Sequence, residues 1–219
     1  MGLDTKGIQI ESAHIENLGL LDYEEAWSLQ RKIHDEVATG TRPSTLLLLE
    51  HPPIFTAGRR TEDSERPLDG SRVIDVDRGG KITFHGPGQI VGYPIVKLRD
   101  PQNVVGFVRE LENALIQICE EVGLTTERYC ERSGVWVRDS QGDRKIAAIG
   151  LRVARGVTMH GFALNVNPDL TFYDRIVPCG IADAGVTSIA KELDRNISIA
   201  EVLPILEPII QTALSRVSS

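Results

Sequence analysis

The stretch VIDVDRGGKITFHGPGQIVGYPIVK, residues 73–97, decides the class of fold. Its apolar positions are β-branched or aromatic, and Gly79-Gly80 and Gly86-Pro87-Gly88 cut it into pieces too short for helices. That pattern predicts three short strands joined by two glycine turns. GPGQIVG runs on into a strand-like segment where a nucleotide-binding fingerprint requires a helix, so it is not taken as a phosphate loop.

Working outward, STLLLLEHPP (44–53) is an apolar run stopped by two prolines and predicts a buried strand. Before it, LDYEEAWSLQRKIHDEVATG (21–40) carries Tyr23, Ala26, Trp27, Ile33 and Val37 near one stripe, with Asp22 to cap the start and Gly40 to close the end. That helix is expected to be scaffold. RRTEDSERPLDGS (59–71) is polar and turn-rich, and is expected to be a surface loop. Downstream, NVVGFVRELENALIQICEEVG (103–123) sets Val104, Phe107, Val108, Leu111, Leu115, Ile118 and Cys119 on one helical face, which places Cys119 in the core. A second β region follows: GVWVRD, a turn at SQGD, RKIAAIGLRVARG and VTMHGFALNVN. Ser198 and Glu201 form a capping box for a last helix, which Pro204 and Pro208 are expected to bend or shorten. Helices and strands mix without regular βαβ alternation, which predicts an α+β or irregular α/β domain.

At 219 residues, with 41% hydrophobic and 25% charged residues, the chain suits one large globular domain. No apolar run approaches the roughly 20 residues of a membrane helix. The net charge of −7 argues against a dominant nucleic-acid role. The N-terminal sequence has no basic-then-apolar leader, and Lys6 breaks the myristoylation pattern, so a cytoplasmic location is expected. The three cysteines cannot all pair with one another and have no metal-ligand spacing, so no metal site is expected.

RIVPCGI (175–181) sets Cys179 between a proline and a glycine, outside any apolar period. A lone cysteine is either a small buried hydrophobe or a reactive thiol. A neighbouring ammonium pulls a thiol down from ~8.5 and makes it a nucleophile. Lys145 can supply that charge, or it is a solvated lysine after the SQGD turn. Gly180 permits a turn that aims a backbone N–H at an oxyanion. His85 can orient a substrate, take a proton or merely brace the glycine turn. His160 is equally consistent with a satisfied half-buried residue, His14, His34 and His51 carry no signal, and Cys130 reads as an inert thiol. Arg59, Arg60 and Arg78 can form a basic rim for an acidic protein partner.

Four motifs in order, RGGKITFHGPGQ (78–89), RKIAAIGLR (144–152), HGFALNV (160–166) and VPCGI (177–181), resemble the octanoyltransferases that make protein-bound lipoate. Phe84 stands where that family often has tyrosine. The resemblance implies a single catalytic domain over residues 1–219, α/β with mixed sheets flanked by helices, like the biotin and lipoate protein ligases. It implies transfer of octanoyl from octanoyl-acyl carrier protein to a lysine of lipoyl domains, those of 2-oxoacid dehydrogenases and the glycine cleavage H protein, through a cysteine thioester and with no cofactor. Carried over, Cys179 is the nucleophile and Lys145 lowers its pKa. The acyl site is then lined by Arg78, Gly79, Gly80, Lys81, Ile82, Thr83, Phe84 and His85, by Ala148, Ile149 and Gly150, and by Gly161, Phe162 and Ala163. The rival activities are an ATP-dependent lipoate or biotin ligase on the same fold and a cysteine-dependent thioesterase.

Overall fold

Four consecutive leucines, Leu46 to Leu49, show how the layers form. In a strand successive side chains point to opposite faces, so a continuous apolar run means that both faces are covered. In the computed structural model, which describes residues 13–129, 132–176 and 184–219, Leu46 and Leu48 enter one core and Leu47 and Leu49 another. The first core holds the apolar faces of α2 (Val104–Glu121) and α4 (Ile199–Val217). The second holds Ala26, Ile33 and Val37 of α1 (Tyr23–Thr39).

The central sheet runs β1 (His14–Leu20), β2 (Thr45–Glu50), β6 (Gln89–Ile95), β10 (Val157–Asn165), β9 (Gly142–Ala154), β8 (Arg132–Asp139), β7 (Glu127–Tyr129). The pair β1–β2, bridged by α1, is parallel, and the other neighbours along this path are antiparallel. A two-residue strand, β11 (Gly185–Val186), lies parallel to β9 at Arg144 and Lys145. A small sheet of β4 (Val73–Asp75), β3 (Ile54–Ala57) and β5 (Thr83–His85) carries its own cluster of Phe55, Ile82, Phe84, Tyr173 and Ile176. A short helix, α3 (Ile189–Glu192), follows β11. The three strands expected within 73–97 are thus β4, β5 and β6, divided between two sheets. No described helix is long and apolar enough to cross a membrane.

The caps agree with the chemistry of the sequence. Asp22 accepts from the backbone N–H groups of Glu24 and Glu25, and Gly40 closes α1 in the left-handed conformation at φ 75°. Asn103 caps α2 through the Gly106 N–H. Ser198 and Glu201 form the expected box at α4. The prolines of α4 do not shorten it: one helix of 19 residues runs through both, and the Pro208 carbonyl accepts from Thr212 Oγ1 at 2.8 Å. Burial of Val202, Leu206, Ile210, Ala213 and Leu214 on one face outweighs the ladder bonds the prolines remove.

Two glycines set the spacing around the sheets' junction. Gly88 has φ +88°, and a Cβ there would meet the Asn167 backbone at 2.7 Å, while Val166 and Asn167 both donate to its carbonyl. At Gly161, in the middle of β10, a Cβ would lie 2.0 Å from the Gly92 carbonyl oxygen of β6. Backbone cannot step aside within a paired ladder, so Gly161→Ala is expected to lose about 3 kcal/mol of unfolding free energy. Urea denaturation checks this, and an unchanged midpoint would refute the packing argument.

Candidate active site

Gly79 donates to the Leu151 carbonyl at 2.9 Å, drawing the RGGK turn against the long strand β9. Between this turn, β5, β6, β9 and β10 lies a cavity of about 260 Å³, near the small end of the usual ~300–1,000 Å³ for ligand sites. Its apolar wall is made of Val91, Ala148, Ile149, Phe162 and Ala163, with Gly80, Gly150 and Gly161 exposing backbone. Its polar side carries Tyr23, Thr83, His85, Tyr93, Ser133 and His160, and its cations are Arg60, Arg78, Lys81, Arg132 and Lys145. No carboxylate is found among the described lining residues. The cavity therefore favours anionic or strongly polarised oxygen and sulfur groups at one end and a slim apolar group at the other.

Lys145 is not the solvated lysine that a turn position allows: it is 8% exposed. Its Nζ stands 4.6 Å from the centroid of the Trp136 ring, and it makes no ion pair with any described residue. A cation over an indole face is partly stabilised, but it keeps its capacity for an anionic partner. Strand β11 binds the main chain at this point, with Val186 opposite Lys145 and the Thr187 N–H on the Lys145 carbonyl at 2.9 Å.

Three buried histidines stand behind and beside the cavity. His51 Nδ1 faces the Leu21 carbonyl at 2.7 Å. A carbonyl only accepts, so Nδ1 carries the proton and Nε2 accepts from the Tyr93 hydroxyl at 2.7 Å. Burial lowers His51 to about 4 against the pull of the Leu21 carbonyl, and burial raises Tyr23 to about 12. The Tyr23 ring stacks at 5.8 Å on His85, whose Nδ1 lies 2.7 Å from Gln89 Oε1. His85 is driven well below its ordinary pKa by burial, with His51 pushing in the same direction. His160, at φ 58° and 1% exposed, pairs through Nε2 with Asp77 at 2.8 Å, and its Nδ1 is buried without a partner. It is fully buried, and only one of its two ring nitrogens is satisfied.

Several expectations are refined. Of the RGGKITFH run, Arg78, Gly80, Lys81, Thr83 and His85 line the cavity. Ile82 and Phe84 alternate to the other face and pack with Phe55, Tyr173 and Ile176, while Gly79 serves through its backbone. Arg78 is no rim residue: it is 7% exposed, and its guanidinium clamps the carbonyls of Thr56, Gly79 and Lys81. Arg59 and Arg60 remain exposed beside the mouth. Cys119 is buried in the core, where desolvation lifts its thiol to about 12. Cys179 and Cys130 lie outside the described residues. Tyr23, assigned to scaffold by its helix, lines the cavity instead, as does Tyr93. Nothing in the local sequence around either tyrosine marks it.

Residues 22–210 match the sequence model of the Lipoyl protein ligase A/B catalytic domain family. A protein of Salinispora arenicola named Octanoyltransferase is 61% identical over 191 residues, covering 86% of this chain and 90% of its own. An Octanoyltransferase of Streptomyces coelicolor is 52% identical, covering 90% and 89%. Among solved structures, a bi-partite lipoate protein ligase from Thermoplasma acidophilum, studied with its E2 lipoyl domain, superposes with a TM-score of 0.70 at 18% identity, over 93% of this chain and 84% of its own. At that identity the structural likeness speaks to the fold.

The histidines give a pH signature. His51 is about 4 folded and ~6.5 unfolded, and His85 and His160 are displaced the same way. Between these limits the unfolded chain binds the extra protons, so stability is full above about pH 6.5 and falls as pH drops towards 4. The His51 displacement alone corresponds to roughly 3 kcal/mol. Denaturation midpoints measured from pH 7 to pH 4.5 are expected to fall steadily. A flat profile would contradict the buried neutral histidines.

Proposed function

Because the chain belongs to the Lipoyl protein ligase A/B catalytic domain family, we propose that it is an octanoyltransferase of lipoate biosynthesis. In this reading it acts as one catalytic domain and relays an acyl group from a thioester donor, octanoyl-acyl carrier protein, through Cys179 to a lysine of a lipoyl domain. The observation that carries the reading is Lys145: a buried ammonium facing a small-residue cavity, with no anionic partner among the described residues. Such a charge stabilises a thiolate near it. The flanking chain supports Cys179 as that thiol. Ile176 packs with Phe84 and Tyr173 beside the cavity wall, and Val186 pairs with Lys145 itself. Val186 also packs against the cluster that holds Ile176, so the described residues on either side of Cys179 share one neighbourhood.

The chemistry is self-consistent. Passing an acyl group from one thioester to a thiolate conserves the bond type, and forming an amide afterwards is downhill, so no nucleotide is required. The sulfur of the donor carrier leaves as the C–S bond to Cys179 forms. The acceptor amine then displaces Cys179. Each methylene laid against Val91, Ala148, Phe162 and Ala163 contributes about 0.8 kcal/mol. A seven-carbon tail gains roughly 5 kcal/mol before ordering costs, which separates it from acetyl. One methylene more or less is discriminated only about tenfold.

Intact mass after incubation with octanoyl-acyl carrier protein alone is expected to show one octanoyl group, absent in Cys179→Ser. Normal ATP-driven ligation by Cys179→Ser would favour a ligase, and release of free octanoate with an unmodified lipoyl domain would favour a thioesterase. Lys145→Ala is expected to slow acylation at least tenfold and to shift the alkylation-versus-pH curve of Cys179 upward. Cys119, at about 12 and buried, is expected to stay unlabelled in the folded protein.

A further inference from the structure

The hydrogen bonds around Gln89 determine which nitrogen of His85 faces the cavity as a bare lone pair. Gln89 Nε2 lies 3.2 Å from the Phe84 carbonyl and 2.8 Å from Asn165 Oδ1. A carbonyl cannot donate, so that end of the side chain is the amino group. Asn165 is oriented independently, because its Nδ2 donates to the Thr187 carbonyl at 2.9 Å and leaves Oδ1 for Gln89. With both amides fixed, Gln89 Oε1 is an acceptor 2.7 Å from His85 Nδ1, and Nδ1 must carry the hydrogen.

The Nε2 atom of His85 has no partner among the described residues, and it is not among the buried polar atoms sealed from solvent. Since His85 lines the cavity, this nitrogen opens into it. The groups facing the imidazole are Tyr23, His51, Arg78 and His160. Burial and these neighbours disfavour a second proton on the ring. Lys145, Arg60 and Arg78 can only donate, and the His51 lone pair is taken by Tyr93.

We propose that His85 Nε2 is the acceptor for an N–H of the attacking lysine amine, and that it carries the amine proton to the departing sulfur. This rests on the acyl-relay reading above. The surrounding cations repel an ammonium and admit the neutral amine. As the C–N bond forms, the nitrogen becomes positive and its N–H acidic, and the proton passes to His85 Nε2. The C–S bond breaks, sulfur leaves with its electron pair, and the imidazolium returns the proton to it. The hydrogen lost by the amine ends on sulfur, and nothing else is consumed. An acyl thioester brings no N–H at the reacting carbon, so this acceptor belongs to the second half of the reaction.

The experiment separates the halves. Charging is measured as the mass gain of the protein with octanoyl-acyl carrier protein alone, and discharge as transfer from the isolated acyl-protein to a lipoyl domain. His85→Ala, with its thermal melt compared with the parent, is expected to lower both rates unequally: discharge about 100-fold, and charging, through the altered cavity wall, about tenfold or less. Nitrogen-15 spectra of the unaltered protein, which need no variant to fold, are expected to show His85 with a protonated Nδ1 and a bare Nε2 at neutral pH. Equal loss in both halves, no loss in discharge, or an Nε2–H tautomer would each overturn the proposal. Failure of the parent protein to charge would remove the relay reading, a result distinct from any of these.

Discussion

A single buried carboxamide holds the two sheets in register. Gln89 begins β6 of the central sheet, yet its side chain reaches the Phe84 carbonyl and the His85 ring of the small sheet. It also reaches Tyr173 and, through Asn165, β10 and the Thr187 carbonyl beyond β11. It is wholly buried, so each of these bonds replaces one to water that cannot be recovered. Remove it and the small sheet, the cavity floor and the return of the chain to Lys145 lose their common reference.

The site built on that anchor is a division of labour by burial. Cations surround it, but they are not equivalent. Arg78 spends its guanidinium on three carbonyls and serves as masonry, and Lys81 is engaged by Glu62 and Glu65. Lys145 is set against an indole face and keeps its charge directed at the cavity. Burial disfavours the charged form of the His51 and His85 imidazoles, and a carbonyl and an amide dictate which nitrogen of each carries the hydrogen, so those proton positions in the resting site follow from the fold.

Much of this was legible in the chain. Asp22, Gly40 and the Ser198–Glu201 box announce their helices because caps are local chemistry. The glycine-broken stretch 73–97 reads correctly as three strands because its turns are local too. What sequence cannot supply is which sheet each strand joins: β4 and β5 part from β6 through contacts with residues far along the chain. The same limit governs the site. Motifs are quoted as unbroken runs, but a strand alternates, so Ile82 and Phe84 belong to the small core while Thr83 and His85 face the cavity. Tyr23 and Tyr93 join the site only because α1 and β6 meet there, and no spacing rule links them. Pro204 and Pro208 are expected to bend or shorten the last helix, and with tertiary burial of one face a single helix of 19 residues runs through both.

The glycine and alanine wall has an evolutionary corollary. Gly80, Gly150 and Gly161 have no side chain left to remove, and Ala148 and Ala163 have one carbon each. Point substitution at these positions is therefore nearly one-directional: it adds atoms to the wall or, at Gly161, drives a Cβ into the Gly92 carbonyl, and almost never gains room. Descendants of such a scaffold that handle bulkier acids must gain room by shifting whole strands, a change that would reach the Gln89 junction first.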